Sequence, residues 1–99
     1  MAYKWFDHIS ESVKGKHDYQ LQEELEKELS AAGVVSFSVC FERKRGRAHV
    51  FFGREEVPGM DVELVKKIFL ASHPAWRFES ADVNPSLGCV PVEFRDTTI

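Results

Sequence analysis

Val34-Val35-Ser36-Phe37-Ser38-Val39-Cys40-Phe41, then Arg43-Lys44-Arg45-Gly46-Arg47, then Ala48-His49-Val50-Phe51-Phe52 is the stretch whose reading decides the fold. Apolar and polar residues alternate on both sides of a basic, glycine-containing turn, which predicts an antiparallel hairpin. The period of two puts Val35, Phe37, Val39 and Phe41 on one face, with Ser36, Ser38, Cys40 and Glu42 on the other. On the return strand Ala48, Val50 and Phe52 continue the core side and leave Arg47, His49 and Phe51 outward. One covered face and one polar face are expected of an antiparallel sheet with a single packed layer.

Toward the N-terminus, Asp18 is expected to cap a helix whose stripe Leu21, Leu25, Leu29 and Ala32 is spaced for one buried face, with Gly33 ending it. Its outer face carries Glu23, Glu24, Glu26 and Glu28 against Lys27 alone, an acidic surface. Before it, Trp5, Phe6, Ile9 and Val13 recur at helical spacing, so residues 3–14 read as a short amphipathic helix stopped by Gly15. Tyr3 and Trp5 also fit one face of a strand, and both readings stay open.

Beyond the hairpin, Pro58-Gly59 precedes a helix capped by Asp61 with the stripe Val62, Val65, Ile68 and Phe69, stopped at His73-Pro74. Trp76 and Phe78 then alternate with Arg77 and Glu79. A turn over Asn84-Pro85-Ser86-Leu87-Gly88 leads to Val90, Val92 and Phe94 alternating with Cys89, Pro91 and Glu93. Pro91 lacks a backbone donor, which assigns this last strand to a sheet edge, and the tail from Asp96 to Ile99 is expected to fray. The expected fold class is α+β: a two-layer sandwich, mainly an antiparallel four-stranded sheet with helices on one face, ferredoxin-like or a close variant. A strand at Tyr3 to Phe6 gives the order β-α-β-β-α-β with an added strand, and a helix gives α-α-β-β-α-β-β.

Ninety-nine residues allow one domain, 1–99, with a single modest core. The formal charge of −3 removes the broad positive field of a duplex-DNA binder, so any nucleic-acid contact is local. No apolar run reaches bilayer length, and Met1-Ala2-Tyr3-Lys4-Trp5 lacks a signal-peptide core, so a soluble cytoplasmic chain with no membrane partner is expected. Cys40 and Cys89, reduced in that compartment, form no C-x-x-C pair.

Catalysis has no legible machinery. His8, His17, His49 and His73 fall in no metal-ligand spacing, and the chain has no nucleophile elbow, phosphate loop or dinucleotide fingerprint. No enzyme activity, cofactor or metal is expected; Gly53, Gly59 and Gly88 read as turn residues.

Arg45-Gly46-Arg47-Ala48-His49-Val50-Phe51-Phe52 resembles the RNP1 segment of RNA-recognition motifs at six of eight positions. The resemblance implies single-stranded RNA or DNA binding, with Arg45, Arg47, His49 and Phe51 outward to contact phosphate and stack on a base. Arg47 and His49 stand where that motif carries its stacking aromatics, and no RNP2-like strand precedes the first long helix. The favoured expectation is a small non-catalytic module that binds another protein as an adaptor, subunit or inhibitor of a larger complex. It uses the open sheet face and the basic hairpin: Arg43, Lys44, Arg45, Arg47, His49 and Phe51. Nucleic acid is the alternative partner, and a homodimer through the Pro91 edge or the open face is a further option. Trp5 reads as core rather than interface anchor.

Overall fold

The computed structural model describes residues 10–53, 59–81 and 90–98. Along them run α1 (Asp18–Ala31), β1 (Phe37–Glu42), a 3-10 turn (Arg43–Arg45), β2 (Arg47–Phe52), α2 (Gly59–Ser72), β3 (Trp76–Ala81) and β4 (Val90–Asp96). The strands form one antiparallel sheet in the order β1-β2-β4-β3, and both helices pack on one face of it. This is the expected α+β sandwich. β2 and β3 run parallel to each other with β4 between them and α2 as the crossover, the split βαβ arrangement of ferredoxin-like folds. The variation is that the last described strand takes the place beside β2.

The buried layer follows the periodicities. Leu21, Leu25 and Leu29 of α1 and Val65 and Phe69 of α2 meet Val39, Phe41, Ala48, Val50, Phe52, Val92 and Phe94 of the sheet. Phe69 is central: its ring stacks on Phe94 at 3.9 Å between centroids and meets Phe41 and Trp76 at 5.8 and 5.5 Å. Gly46 makes the hairpin turn at φ 66°, and Gly33 leaves α1 at φ 93°, both in the region that disfavours a Cβ.

Several local expectations change. The α1 N-cap is His17, not Asp18; the His17 amide donates to Gln20 Oε1 at 2.7 Å, while the Asp18 carboxylate accepts from the Arg43 amide at 3.1 Å. Ala32 is exposed, because it is the C-cap and has already left the buried stripe. Val35 is 57% exposed rather than core, since Ser36 at φ 56° breaks the extended phase and β1 begins only at Phe37. Asp61 is not the residue before α2 but lies within its first turn, because the helix already includes Gly59. Residues 11–15 form turns rather than the end of a helix, although Val13 is buried and Gly15 does adopt positive φ, 75°.

Two further corrections concern the last strand and the tail that follows it. Pro91 lies in an interior strand, because β4 pairs with both β2 and β3. The Asp96 amide donates to Gly46 O on the β2 side, so even-numbered β4 residues bond β2 and Pro91's nitrogen faces β3, whose described pairing stops at Ala81↔Val92. The tail is anchored, not frayed: Asp96 is 1% exposed, and the Thr97 amide donates to Ala75 O at 3.0 Å. The readings at Tyr3 to Phe6, Trp5, His8, Asn84 to Gly88, Cys89 and Ile99 lie outside the described residues.

Candidate binding face of the sheet

Strand alternation turns the odd-numbered residues of β2 and β4 away from the helices, and the register aligns them in rows. The first row crosses all four strands: Glu42 opposite Arg47, Arg47 opposite Arg95, Arg95 opposite Arg77. The second is Cys40, His49, Glu93 and Ser80, and the third is Ser38, Phe51 and Pro91. The face thus grades from cationic through hydrogen-bonded to apolar over three rows.

The middle row is fixed by its own bonds. Glu93 accepts from Ser80 Oγ at 2.8 Å and from His49 Nε2 at 2.9 Å. Hydrogen bonding by Ser80, then by His49, together with the nearby Arg47, holds the Glu93 carboxyl below its ordinary value against the raising effect of burial. A carboxylate only accepts, so His49 presents Nε2–H to it. The His49 ring also stacks on Phe51 at 5.4 Å, which braces the half-buried Phe51 beside Pro91. A shallow cleft of about 320 Å³ opens at that end between Ser36, Phe37, Ser38, Phe51, Phe52 and Gly53.

Of the six residues singled out in the sequence, Arg47, His49 and Phe51 come together on this face. Arg43 turns toward α1, its Nε 3.8 Å from Asp18 Oδ1. Lys44 and Arg45 stay at the hairpin tip; Arg45 is paired at 3.8 Å to Glu42, with 74% of its side chain exposed. Sequence reading missed Arg77 and Arg95. Both occupy the outward phase of their strands, a legible signal, but which residues stand opposite one another is set by register.

Arg95 is exposed and makes no side-chain hydrogen bond or ion pair with the described residues, whereas Arg77 reaches Glu79 at 3.3 Å. Like charges directly opposite on neighbouring strands destabilise a sheet by about 0.2–1 kcal/mol per pair. Arg47, Arg95 and Arg77 make two such pairs.

A second polar cluster lies on the buried face of the sheet, at the end where Trp76 pairs with Asp96 next to the arginine row. Ser12 Oγ is 2.7 Å from His73 Nδ1 and 3.4 Å from Ser10 Oγ, which accepts from Trp76 Nε1 at 2.8 Å. The Ser10 amide donates to Asp96 Oδ2 at 3.0 Å. Ser12 and His73 have the separation of a nucleophile and base beside a cleft of about 630 Å³. No carboxylate among the described residues hydrogen-bonds the His73 ring to orient it; Asp96 is engaged by Ser10 and Thr98. The cluster acts as a latch that closes residues 10–14 onto the ends of α2 and β4. Among the described residues no three His, Cys, Asp or Glu side chains gather as a metal site, and no helix is long and apolar enough to cross a membrane.

Comparison with protein-family models, curated proteins and solved structures finds no match for this chain.

Proposed function

We propose that the chain is a small non-catalytic protein-binding module, an adaptor, subunit or inhibitor of a larger complex, that meets its partner through the open sheet face and the adjoining hairpin tip. The observation that carries this reading is the Arg47, Arg95, Arg77 row, a destabilising juxtaposition whose central member, Arg95, has no hydrogen bond or ion pair with the described residues. On the same face stand the hydrogen-bonded centre, His49 with Glu93, and beyond it a braced aromatic, Phe51. A cationic row and an apolar row on one face, separated by the hydrogen-bonded row, suit a protein surface that offers carboxylates and an apolar anchor together.

Nucleic acid is the second reading, favoured by the place of the RNP1-like segment on β2, with Arg47 and Arg95 side by side for phosphate. The ionised Glu93 at the centre of the face opposes it, and so does the missing pair of stacking aromatics. One experiment separates the two. Wild-type chain and an Arg47→Ser/Arg95→Ser variant, matched by circular dichroism, serve as baits for mass spectrometry of native-host lysate and are titrated with labelled single-stranded oligonucleotides at two salt concentrations. Partners lost with the variant support the protein reading, and retention of every partner overturns it. Salt-sensitive oligonucleotide binding that the variant abolishes transfers the face to nucleic acid.

A further inference from the structure

The outer edge of β1 is closed at one end and open at the other. The Gly53 amide donates to Ser36 O at 3.0 Å, so even-numbered residues of β1 bond β2 and the amides of residues 37, 39, 41 and 43 point outward. α1 runs alongside and sets a row of polar side chains at i+4 spacing, Asp18, Gln22, Glu26 and Ser30, along that edge. The first two are used: Asp18 Oδ1 accepts from the Arg43 amide at 3.1 Å, and Gln22 Oε1 from the Phe41 amide at 3.0 Å. The last two are not. The Phe37 and Val39 amides have no outward hydrogen-bond partner among the described residues, and at the Phe37 end the edge opens on a cleft of about 440 Å³ between Glu26, Ser30, Val34, Val35, Ser36 and Phe37.

We infer that this open half-edge takes an extended segment of a partner protein, added as a short antiparallel strand beside Phe37–Val39 and carrying lysine or arginine next to an apolar residue. An unpaired strand edge templates such pairing through its backbone. The side-chain chemistry comes from the rim. Glu26 lines the cleft and Glu23 the adjoining one, neither in an ion pair with the described residues, with Lys27 the one cation on that face of α1. Val35, 57% exposed, and the half-buried Phe37 supply the apolar contact. Charge also selects against a second copy, because two β1 edges paired about a two-fold axis bring Glu26 toward its own equivalent. This surface is separate from the arginine row, and its test leaves that row untouched.

The test follows backbone amides by NMR while a five-residue peptide of alternating lysine and valine is added to millimolar concentration, with the glutamate-valine peptide as comparison. Shifts and exchange protection at Phe37 and Val39, with the capped Phe41 and Arg43 amides unmoved, are expected from the basic peptide. Glu26→Lys is expected to weaken binding by about tenfold, the equivalent of one ion pair of about 1.4 kcal/mol. Val39→Pro removes an outward donor without touching the β1–β2 ladder but also trims a core side chain, so circular dichroism and the unmoved Phe41 and Arg43 amides check its fold, and binding is expected to be abolished. Glu26→Lys, which leaves the core untouched, carries the test should that variant unfold. Unchanged Phe37 and Val39 amides with the basic peptide, equal response to both peptides, or undiminished binding by Val39→Pro overturns the inference. So does a concentration-dependent dimer in sedimentation that Val39→Pro dissolves, which assigns the edge to a second copy.

Discussion

The backbone amide of Ser10 donates to the buried carboxylate of Asp96 at 3.0 Å, joining points 86 residues apart in the chain. The same carboxylate accepts from Thr98 N at 2.9 Å and Thr98 Oγ1 at 2.6 Å, so one side chain secures the segment before α1 and the end of β4. Asp96→Ala leaves the Ser10 amide without its acceptor in a site only 1% exposed, and the expected loss is about 3 kcal/mol of unfolding free energy. Urea denaturation measures it. Hydrogen exchange is expected to speed first at Val13 and Lys14, whose turn amides depend on that closure. A loss below about 1 kcal/mol would mean that water replaces the carboxylate there.

His73 gives the fold a pH dependence of defined sign. It is 5% exposed, set among Phe41, Phe69 and Trp76, and desolvation holds its pKa below the ordinary 6.5. Lys16 lowers it further, while Glu28, Glu24 and Asp96 pull the other way. Between the folded and unfolded values the unfolded chain binds more protons, so stability rises with pH. It is complete above about 6.5 and is lost as pH falls toward the folded value, with a slope of at most about 1.4 kcal/mol per pH unit from this group. Glu93, also lowered, adds loss of the same sign only below its ordinary 4.5. Chemical denaturation at stepped pH, with His73→Gln as control, separates the two windows. Flat wild-type stability from about pH 7 to 5 would remove His73 from this role.

Periodicity carried the reading where structure is local. The alternation at Ala48, Val50 and Phe52 and the spacing of Leu21, Leu25 and Leu29 report which side of each element is buried, and those residues are 0–1% exposed. Strand order is different, because it depends on which edges meet after the crossover through α2. Pro91 has an edge-strand identity in sequence and an interior place in the sheet, since only one side of β4 lacks its donor. The arginine row was hidden for the same reason. Arg47, Arg77 and Arg95 each show the outward phase, yet their opposition exists only once two registers are fixed. Asp96 reads as part of a frayed tail in sequence because nothing near it announces Ser10.

Ser36 tests why the apolar phase fails at Val35. Its φ of 56° is a left-handed conformation that costs an L-residue about 1–2 kcal/mol, part of which glycine loses again in unfolded-chain entropy. Ser36→Gly is therefore expected to gain about 0.5 kcal/mol, and Ser36→Val to lose at least about 1 kcal/mol, because branching at Cβ worsens the clash. Thermal unfolding of the pair measures the difference. A valine variant as stable as wild type would show that Ser36 relaxes to an extended conformation and returns Val35 to the core phase.

Arg95 should be better for stability when removed. It stands between Arg47 and Arg77 and forms no ion pair with the described residues, so its charge meets two like charges in direct cross-strand positions. Arg95→Thr replaces it with a strand-favouring neutral residue and is expected to gain about 0.5–1 kcal/mol at low salt. Salt screens exposed charges over about 10 Å at 0.1 M, so the gain should shrink as ionic strength rises. Arg95→Lys keeps the charge and is expected to leave stability unchanged, which distinguishes repulsion from a change of shape. A stabilised Arg95→Thr variant that also loses its partner would make the row a surface held at the expense of the fold. If Arg95→Thr were instead destabilised at every salt concentration, the stem of Arg95 would be packing on β3 and β2, and the case for a binding row would fall with it.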